Sequence, residues 1–242
     1  MTTFIGKLNK NASIVVLTGA GISAESGLET FRGAGGLWCG HPVEDVATPQ
    51  AFARNPAMVH EFYNMRRQGL LQPDISPNPA HTALAELERQ WPGEVLVVTQ
   101  NIDDLHERGG SQNLIHMHGE VLKAVCHFCR TTIPCRDNLS VELACAGCSK
   151  KGGIRPDIVW FGEMPYRMDE IFTALADCDL FLSIGTSGNV YPAAGFVSEA
   201  LRHGAITAEL NLELSLNSGV FHQSITGPAS RTVPDFVRSL LS

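Results

Sequence analysis

No stretch of this 242-residue chain approaches the ~18–20 consecutive apolar residues that a membrane-spanning helix needs. The opening residues, MTTFIGKLNKNASIVVL, hold no apolar core followed by a small-residue cleavage site. An excess of basic charge is missing too. The 18 Lys and Arg stand against 25 Asp and Glu, a formal net charge of −7. A surface built to neutralise nucleic-acid phosphates is therefore not expected. Internal repeats, low-complexity tracts and flexible linkers are likewise not seen. These absences point to a soluble, cytoplasmic protein that binds neither nucleic acid nor membrane. Seven cysteines is an odd count, and four of them have metal-type spacing. That suits a reducing compartment better than a disulfide framework.

Apolar content is ample: 44% of residues are hydrophobic and 18% charged, enough for one large domain or one plus a small module. Short apolar runs at 13–17, 95–99, 114–117, 180–184 and 205–210 read as strands. Amphipathic stretches at 81–90, 169–176 and 193–202 lie between several of them. Apolar strands alternating with helices predict an α/β fold, a Rossmann-like parallel sheet covered on both faces. Residues 33–72 show no obvious strand and look helical after Pro49, and residues 119–154 carry the cysteines. The expected division is a Rossmann-like domain of 1–32, 73–118 and 155–242. The helical module 33–72 and the zinc-binding module 119–154 form an inserted small domain.

In open α/β sheets, ligands bind beyond the carboxyl ends of the strands. The five expected tips are Gly19-Ala20-Gly21-Ile22-Ser23, Gln100-Asn101-Ile102-Asp103, His118-Gly119, Gly185-Thr186-Ser187 and Asn211-Leu212-Glu213. Each is polar, glycine-rich or both. Gly19 and Gly21 permit close backbone approach to a pyrophosphate, and the following helix would add partial positive charge. The same pattern fits a plain βα turn with Ser23 as a helix cap. A dehydrogenase should end its second strand in Asp or Glu about 20 residues on. Here that region reads GHPVEDVATPQ and is no strand, whereas Glu213 after the fifth strand could take a ribose diol. Arg32 could pair with phosphate or face solvent.

Asn101 and Asp103 offer the donor and acceptors that a carboxamide needs, although Asp103 or Asp104 could equally cap the next helix. His116 and His118 share one strand face. His118, at the tip, suits a general base near neutral pH, and His116 suits a structural role. Cys126-x-x-Cys129, fifteen residues, then Cys145-x-x-Cys148 matches a four-thiolate zinc site with no open position, hence structural. Cys39, Cys135 and Cys178 read as bystanders. Residues Val159-Trp160-Phe161-Gly162-Glu163 could pair with a peptide by backbone hydrogen bonds or form a buried strand or loop. In the helical stretch HEFYNMRRQ, Tyr63 shares a face with Arg66 or Arg67, a phenol and guanidinium fit to receive a carboxylate.

Taken together, GAGISAESG (19–27), Phe31-Arg32, QNIDDLH (100–106), His118-Gly119, the four cysteines, VWFGE (159–163), GTS (185–187) and NLE (211–213) resemble the sirtuins, NAD-dependent protein-lysine deacylases. The resemblance spans roughly residues 13–240. One departure is visible: many members carry Ile-Pro-Asp where this chain has Leu28-Glu29-Thr30. The resemblance implies that NAD is consumed rather than reduced, the acyl group leaving on ADP-ribose, with His118 as general base. It implies that Asn101, Ile102 and Asp103 hold the nicotinamide and Gln100 its ribose. Gly19, Ala20, Gly21, Ser23, Phe31, Arg32 and Trp38 would line the NAD site with Gly185, Thr186, Ser187 and Ala229. Asn211, Leu212 and Glu213 would take the adenosine ribose, and Val159 to Glu163 the substrate backbone. The Tyr-x-x-Arg pair resembles members that remove succinyl and malonyl groups, and selects Arg66 over Arg67. The expected partners are acylated lysines of proteins. Mono-ADP-ribosyl transfer and a non-catalytic NAD-sensing module remain the alternatives.

Overall fold

A computed structural model describes residues 8–29, 37–38 and 40–242 of the chain. The first half contains β1 (Ile14–Thr18), β2 (Leu37–Trp38), β3 (His41–Pro42), α1 (Val43–Val46), α2 (Pro49–Arg54), α3 (Pro56–Leu70), α4 (Pro79–Gln90), β4 (Val95–Thr99), α5 (Leu105–Gly109) and β5 (Leu114–His116). The second half contains β6 (Gly119–Cys126), β7 (Thr132–Pro134), β8 (Ile154–Ile158), α6 (Met168–Asp177), β9 (Leu180–Ile184), α7 (Phe196–Arg202), β10 (Ile206–Asn211), β11 (Gln223–Thr226) and α8 (Ala229–Leu241).

Six parallel strands form the main sheet in the order β11-β10-β9-β1-β4-β5. All five expected runs are in it. Alternate residues of β1 point to opposite faces, as strand geometry requires. Ile14 and Val16 pack with Leu84 and Leu87 of α4 and with Val233 and Phe236 of α8. Val15 and Leu17 pack with Ile171 and Leu175 of α6 and with Phe196 and Val197 of α7. Both faces are therefore covered, which is why β1, β4 and β9 are buried along their whole length and each carries a single polar residue, Thr18, Thr99 and Ser183. From β1 the chain moves toward β4 and β5, and from β9 it moves the other way, to β10 and β11. The loops after β1 and β9 thus part at a topological switch point, where a ligand crevice opens.

Three helices start alike. Thr48-Pro49, Asn55-Pro56 and Asn78-Pro79 each put a capping side chain before a proline at the first helical position, where its missing N–H costs nothing. Asn78 also donates to Ile22 O (2.7 Å) and Ser26 Oγ (2.9 Å), tying α4 to the loop after β1.

A second, antiparallel sheet has the order β7-β6-β8. Helix α3 lies against it: Arg67 Nε donates to Val121 O (2.9 Å), and Asn64 exchanges hydrogen bonds with the backbone of Leu139.

Three expectations need correction. The helix after the glycine loop is two 3₁₀ turns, Ala20–Ile22 and Ala24–Ser26, so no long helix starts at the glycine loop. Residues 33–72 do contain strands, the two-residue pair β2 and β3. The apolar-run criterion also misses β11 and α8: β11 is an edge strand half-buried on alternate residues and exposed on the others, and α8 carries Pro234 in its interior. Among the described residues, no helix is long and apolar enough to cross a membrane.

Candidate active site

The crevice is a cavity of about 1200 Å³ running along the carboxyl ends of β1, β4, β9 and β10 toward α3 and the end of β8. That exceeds the ~300–1000 Å³ typical for one small ligand and leaves room for a dinucleotide together with a side chain. Gly19, Ala20, Gly21, Ser23, Gln100, Asn101, Ile102, Asp103, His118, Gly185, Thr186, Ser187, Asn211, Leu212 and Ala229 all line it. So do Tyr63, Arg66, Val159, Trp160, Phe161, Gly162 and Glu163. Glu213 is exposed and does not line the cavity. Trp38 lies in β2, and Phe31, Arg32 and Cys39 fall outside the described residues.

The glycines act chiefly by letting two loops touch. Gly21 N–H donates to Gly185 O (2.8 Å) and Gly19 N–H to Ile184 O (3.0 Å). Gly185 has φ +64, and a Cβ there would collide with the backbone of Gly21 and Ile22. Asn211 Oδ1 accepts from Thr186 N (2.9 Å) and so joins the tips of β9 and β10. Its amide in turn donates to the buried carboxylate of Glu209 (3.0 Å). Sequence reading missed Glu209, although one acid inside the apolar run AITAEL is itself a signal.

Ser23 is not a cap. Its Oγ donates to Asp103 Oδ2 (3.0 Å) and accepts from Asn101 Nδ2 (3.1 Å), which also reaches Gly19 O (3.2 Å). His81 was not anticipated here. Asn78 N–H donates to its Nδ1 (3.3 Å), which leaves Nε2–H facing Ser23 Oγ at 3.4 Å. Burial pushes His81 down to about 4, consistent with this neutral tautomer. Asp103 is raised to about 6, chiefly by burial, with hydrogen bonds from Leu105 N and Ser23 opposing. The cap reading of Asp103 is met in part, since its Oδ1 accepts from Leu105 N (3.1 Å) at the start of α5.

His118 Nδ1 faces Gln100 O at 3.2 Å. A carbonyl can only accept, so Nδ1 carries the proton and Nε2 keeps its lone pair. Burial lowers the pKa of His118, with the Gln100 hydrogen bond opposing. His116 sits differently, between Asn101 O (3.2 Å) and Glu107 Oε1 (2.8 Å), so it is the structural histidine of the pair.

The spacing ambiguity in α3 is resolved by position. Arg66 lines the cavity, stacks over the Phe62 ring at 5.2 Å, and lies 3.7 Å from Glu29. Arg67 is fully buried and bonded to Val121 O and Asn64 Oδ1 (2.8 Å). Tyr63 is buried beside it, its hydroxyl accepting from Trp160 Nε1 (3.1 Å).

The 159–163 segment is a turn whose donors serve the chain itself. Val159 N–H goes to His118 O (2.9 Å), Phe161 N–H to Ala47 O (3.0 Å) and Trp160 N–H to Glu163 Oε2 (2.9 Å). Arg155, another residue not anticipated, grips both oxygens of Glu163 (2.9 and 2.7 Å) and stacks on Trp160 at 3.9 Å.

Outside the cavity, the sulfurs of Cys126, Cys129, Cys145 and Cys148 converge within 4.8 Å of one another. Cys126 to Cys148 is 3.8 Å and Cys129 to Cys145 is 3.5 Å. A tetrahedron of ~2.3 Å Zn–S bonds has an edge of about 3.8 Å, so the donor set fits one structural zinc. Cys135 and Cys178 are buried elsewhere, bonded to Asp137 O and Leu175 O.

The Sir2 family model matches residues 19–192. An NAD-dependent protein deacylase of Bdellovibrio bacteriovorus is 55% identical over 97% of this chain and 98% of its own. One from Vibrio cholerae is 56% identical over 95% and 93%. Among solved structures, a mutant Sir2 homologue in complex with ADP ribose superposes with a TM-score of 0.90, at 35% identity over 99% of this chain and 96% of that one.

Proposed function

The chain belongs to the Sir2 family, and on that premise we propose that it is an NAD-dependent protein-lysine deacylase whose pocket accepts succinyl and malonyl as well as acetyl groups. The observation that carries this reading is one cavity joining three parts: His118, the Asn101–Asp103 network, and Tyr63 with Arg66.

NAD, when bound, supplies an activated ribose carbon with nicotinamide as leaving group and ADP-ribose as acyl acceptor. Asn101 and Asp103 present an amide and a carboxylate suited to a carboxamide. Ile102 and Gln100, which line the cavity beside them, would complete its surroundings. Ala20, Ser23, Thr186 and Ser187 would hold the phosphates, Arg32 and Phe31 joining them by the family resemblance alone, while Gly19, Gly21 and Gly185 bring the two loops together. Asn211, Leu212 and Ala229 complete the lining of the nucleotide site; Glu213, exposed outside the cavity, and Trp38 would join them by the family resemblance alone. His118 acts as general base: its neutral Nε2 takes the proton of a ribose hydroxyl, while Gln100 O steadies the cation formed at Nδ1. Trp160 walls the acyl-lysine channel beside Tyr63. Val159, Phe161 and Gly162 would meet the substrate backbone through their carbonyl oxygens, since the N–H groups of Val159 and Phe161 already serve the chain, and Glu163 braces the turn through Arg155.

Arg66 is the receptor for an acidic acyl group, since a guanidinium can bind a carboxylate through two parallel hydrogen bonds. The four cysteines hold a structural zinc. Contacts from Asn64 and Arg67 to residues 121 and 139 support a small domain of 33–72 with 119–154. Four reduced thiolates fit a cytoplasmic location.

The test is mass spectrometry of two peptides that differ only in acetyl- or succinyl-lysine, each incubated with NAD. Loss of both acyl groups, with nicotinamide and acyl-ADP-ribose formed, supports the whole reading. Loss of acetyl alone removes the acidic-acyl part. Transfer of ADP-ribose to the peptide would replace deacylation with the alternative chemistry. Arg66→Met should lower succinyl turnover relative to acetyl, and an unchanged ratio would sink the role of Arg66.

A further inference from the structure

We propose that Glu29 is a specificity-determining residue: its carboxylate occupies Arg66 as an internal stand-in for an acidic acyl group and biases the pocket toward neutral acyl-lysines. The inference rests on the reading of Arg66 given above.

Glu29 Oε2 lies 3.7 Å from Arg66 NH2, and both side chains line the same cavity. They arrive from opposite walls, Glu29 from the loop after β1 and Arg66 from α3. The loop is set by its backbone: Gly27 N–H donates to Ala24 O (3.1 Å), Leu28 N–H to Ser23 O (3.4 Å). Leu28 then packs into the cluster containing Phe62 and Tyr63, which carries Glu29 to the Arg66 end of α3.

The unequal burial of the pair sets its behaviour. Arg66 is 22% exposed and Glu29 73%. The cation is thus held in the wall while the carboxylate stands in water, at long range and through one donor. Such a contact is displaceable. A succinyl or malonyl carboxylate approaching Arg66 meets a second negative charge on the same guanidinium and must push it aside. An acetyl group carries no charge and leaves the pair intact. The penalty therefore falls on acidic acyl groups alone. An exposed pair of this kind corresponds to a factor of about two to five in affinity.

The experiment compares wild type, Glu29→Gln, Arg66→Met and the double variant on acetyl- and succinyl-lysine peptides at saturating NAD. Glu29→Gln should raise the succinyl-to-acetyl ratio of kcat/KM by about two- to fivefold, through KM for the succinyl peptide. The gain should shrink at high salt and vanish when Arg66 is already Met. A ratio that stays level or falls in Glu29→Gln, with wild type active on succinyl-lysine, overturns the proposal and leaves the reading of Arg66 standing. Failure of both wild type and Glu29→Gln to remove succinyl overturns that reading and the proposal with it. A gain that persists in the double variant also overturns the proposal, because Glu29 would then act by another route.

Discussion

Nδ1 of His118 sits 3.2 Å from the carbonyl oxygen of Gln100, the residue that follows β4. One hydrogen bond therefore links the candidate base to the loop holding Asn101 and Asp103, and it fixes which nitrogen is free. Burial holds the pKa of His118 below the ordinary histidine value, so the ring is neutral at pH 7. The acid limb of the kcat/KM profile for deacetylation should lie below pH 6.5, and His118→Ala should lose about 10²–10⁴-fold. An acid limb above 6.5, or a variant of near-wild-type rate, would count against this role.

Gly119 follows the base directly. Its φ is +81, and a Cβ there would collide with the carbonyl oxygen of Asp157. Gly119→Ala should destabilise the chain by more than the ~1 kcal/mol of an ordinary backbone penalty and displace His118. Urea unfolding and activity should fall together. A stable but inactive variant would mean that the backbone had found another path.

Arg66→Met and Arg67→Met should separate function from stability. Arg67 is buried and serves Val121 O and Asn64 Oδ1. Its loss removes both bonds: Asn64 Oδ1 keeps the Leu139 N–H, but Val121 O loses this donor, at roughly 1–3 kcal/mol. A marked fall in Tm is expected for Arg67→Met and little change for Arg66→Met; comparable Tm losses in both would contradict the assignment.

The cysteine cluster predicts one zinc per chain by elemental analysis. Its removal by chelator, or Cys145→Ser, should raise hydrogen exchange across β6, β7 and β8 far more than across β1, β4 and β9. Uniform exchange across both sheets would show that the cluster is not a local staple.

His60 and His81 are each pushed down to about 4, chiefly by burial. Unfolded, both titrate near 6.5. Between pH 4 and 6.5 the unfolded chain binds more protons than the folded one, so these groups cost stability as pH falls through that window. Neither ring nitrogen of His60 has a hydrogen-bond partner among the described residues. His60→Leu should thus keep its stability at pH 7 and show a shallower fall in Tm from pH 6.5 to 4. Parallel curves for the two proteins would remove His60 from the account.

Local patterning made much of this protein legible. A strand buried on both faces is apolar along most of its length, so β1, β4 and β9 announce themselves, and their polar tips mark the crevice. Thiolate spacing suffices for a metal knuckle, because two cysteines three apart reach one ion whatever surrounds them. The edge strand β11 escaped because half burial leaves no continuous apolar run. What only the tertiary structure decided are matters of orientation and distant pairing. Tyr63 lies three residues from Arg66 and four from Arg67, and helical spacing admits both. Packing of α3 on β6 sends Arg67 inward and Arg66 to the cavity. Ser23 reads as a cap until Asp103, 80 residues on, is brought to its hydroxyl. The Glu29–Arg66 contact, His81 beneath Ser23, and Arg155 behind Glu163 belong to the same class. Each joins groups whose partners are fixed by the fold and by no local pattern, since sequence periodicity tells which face a residue shares and not what that face will meet.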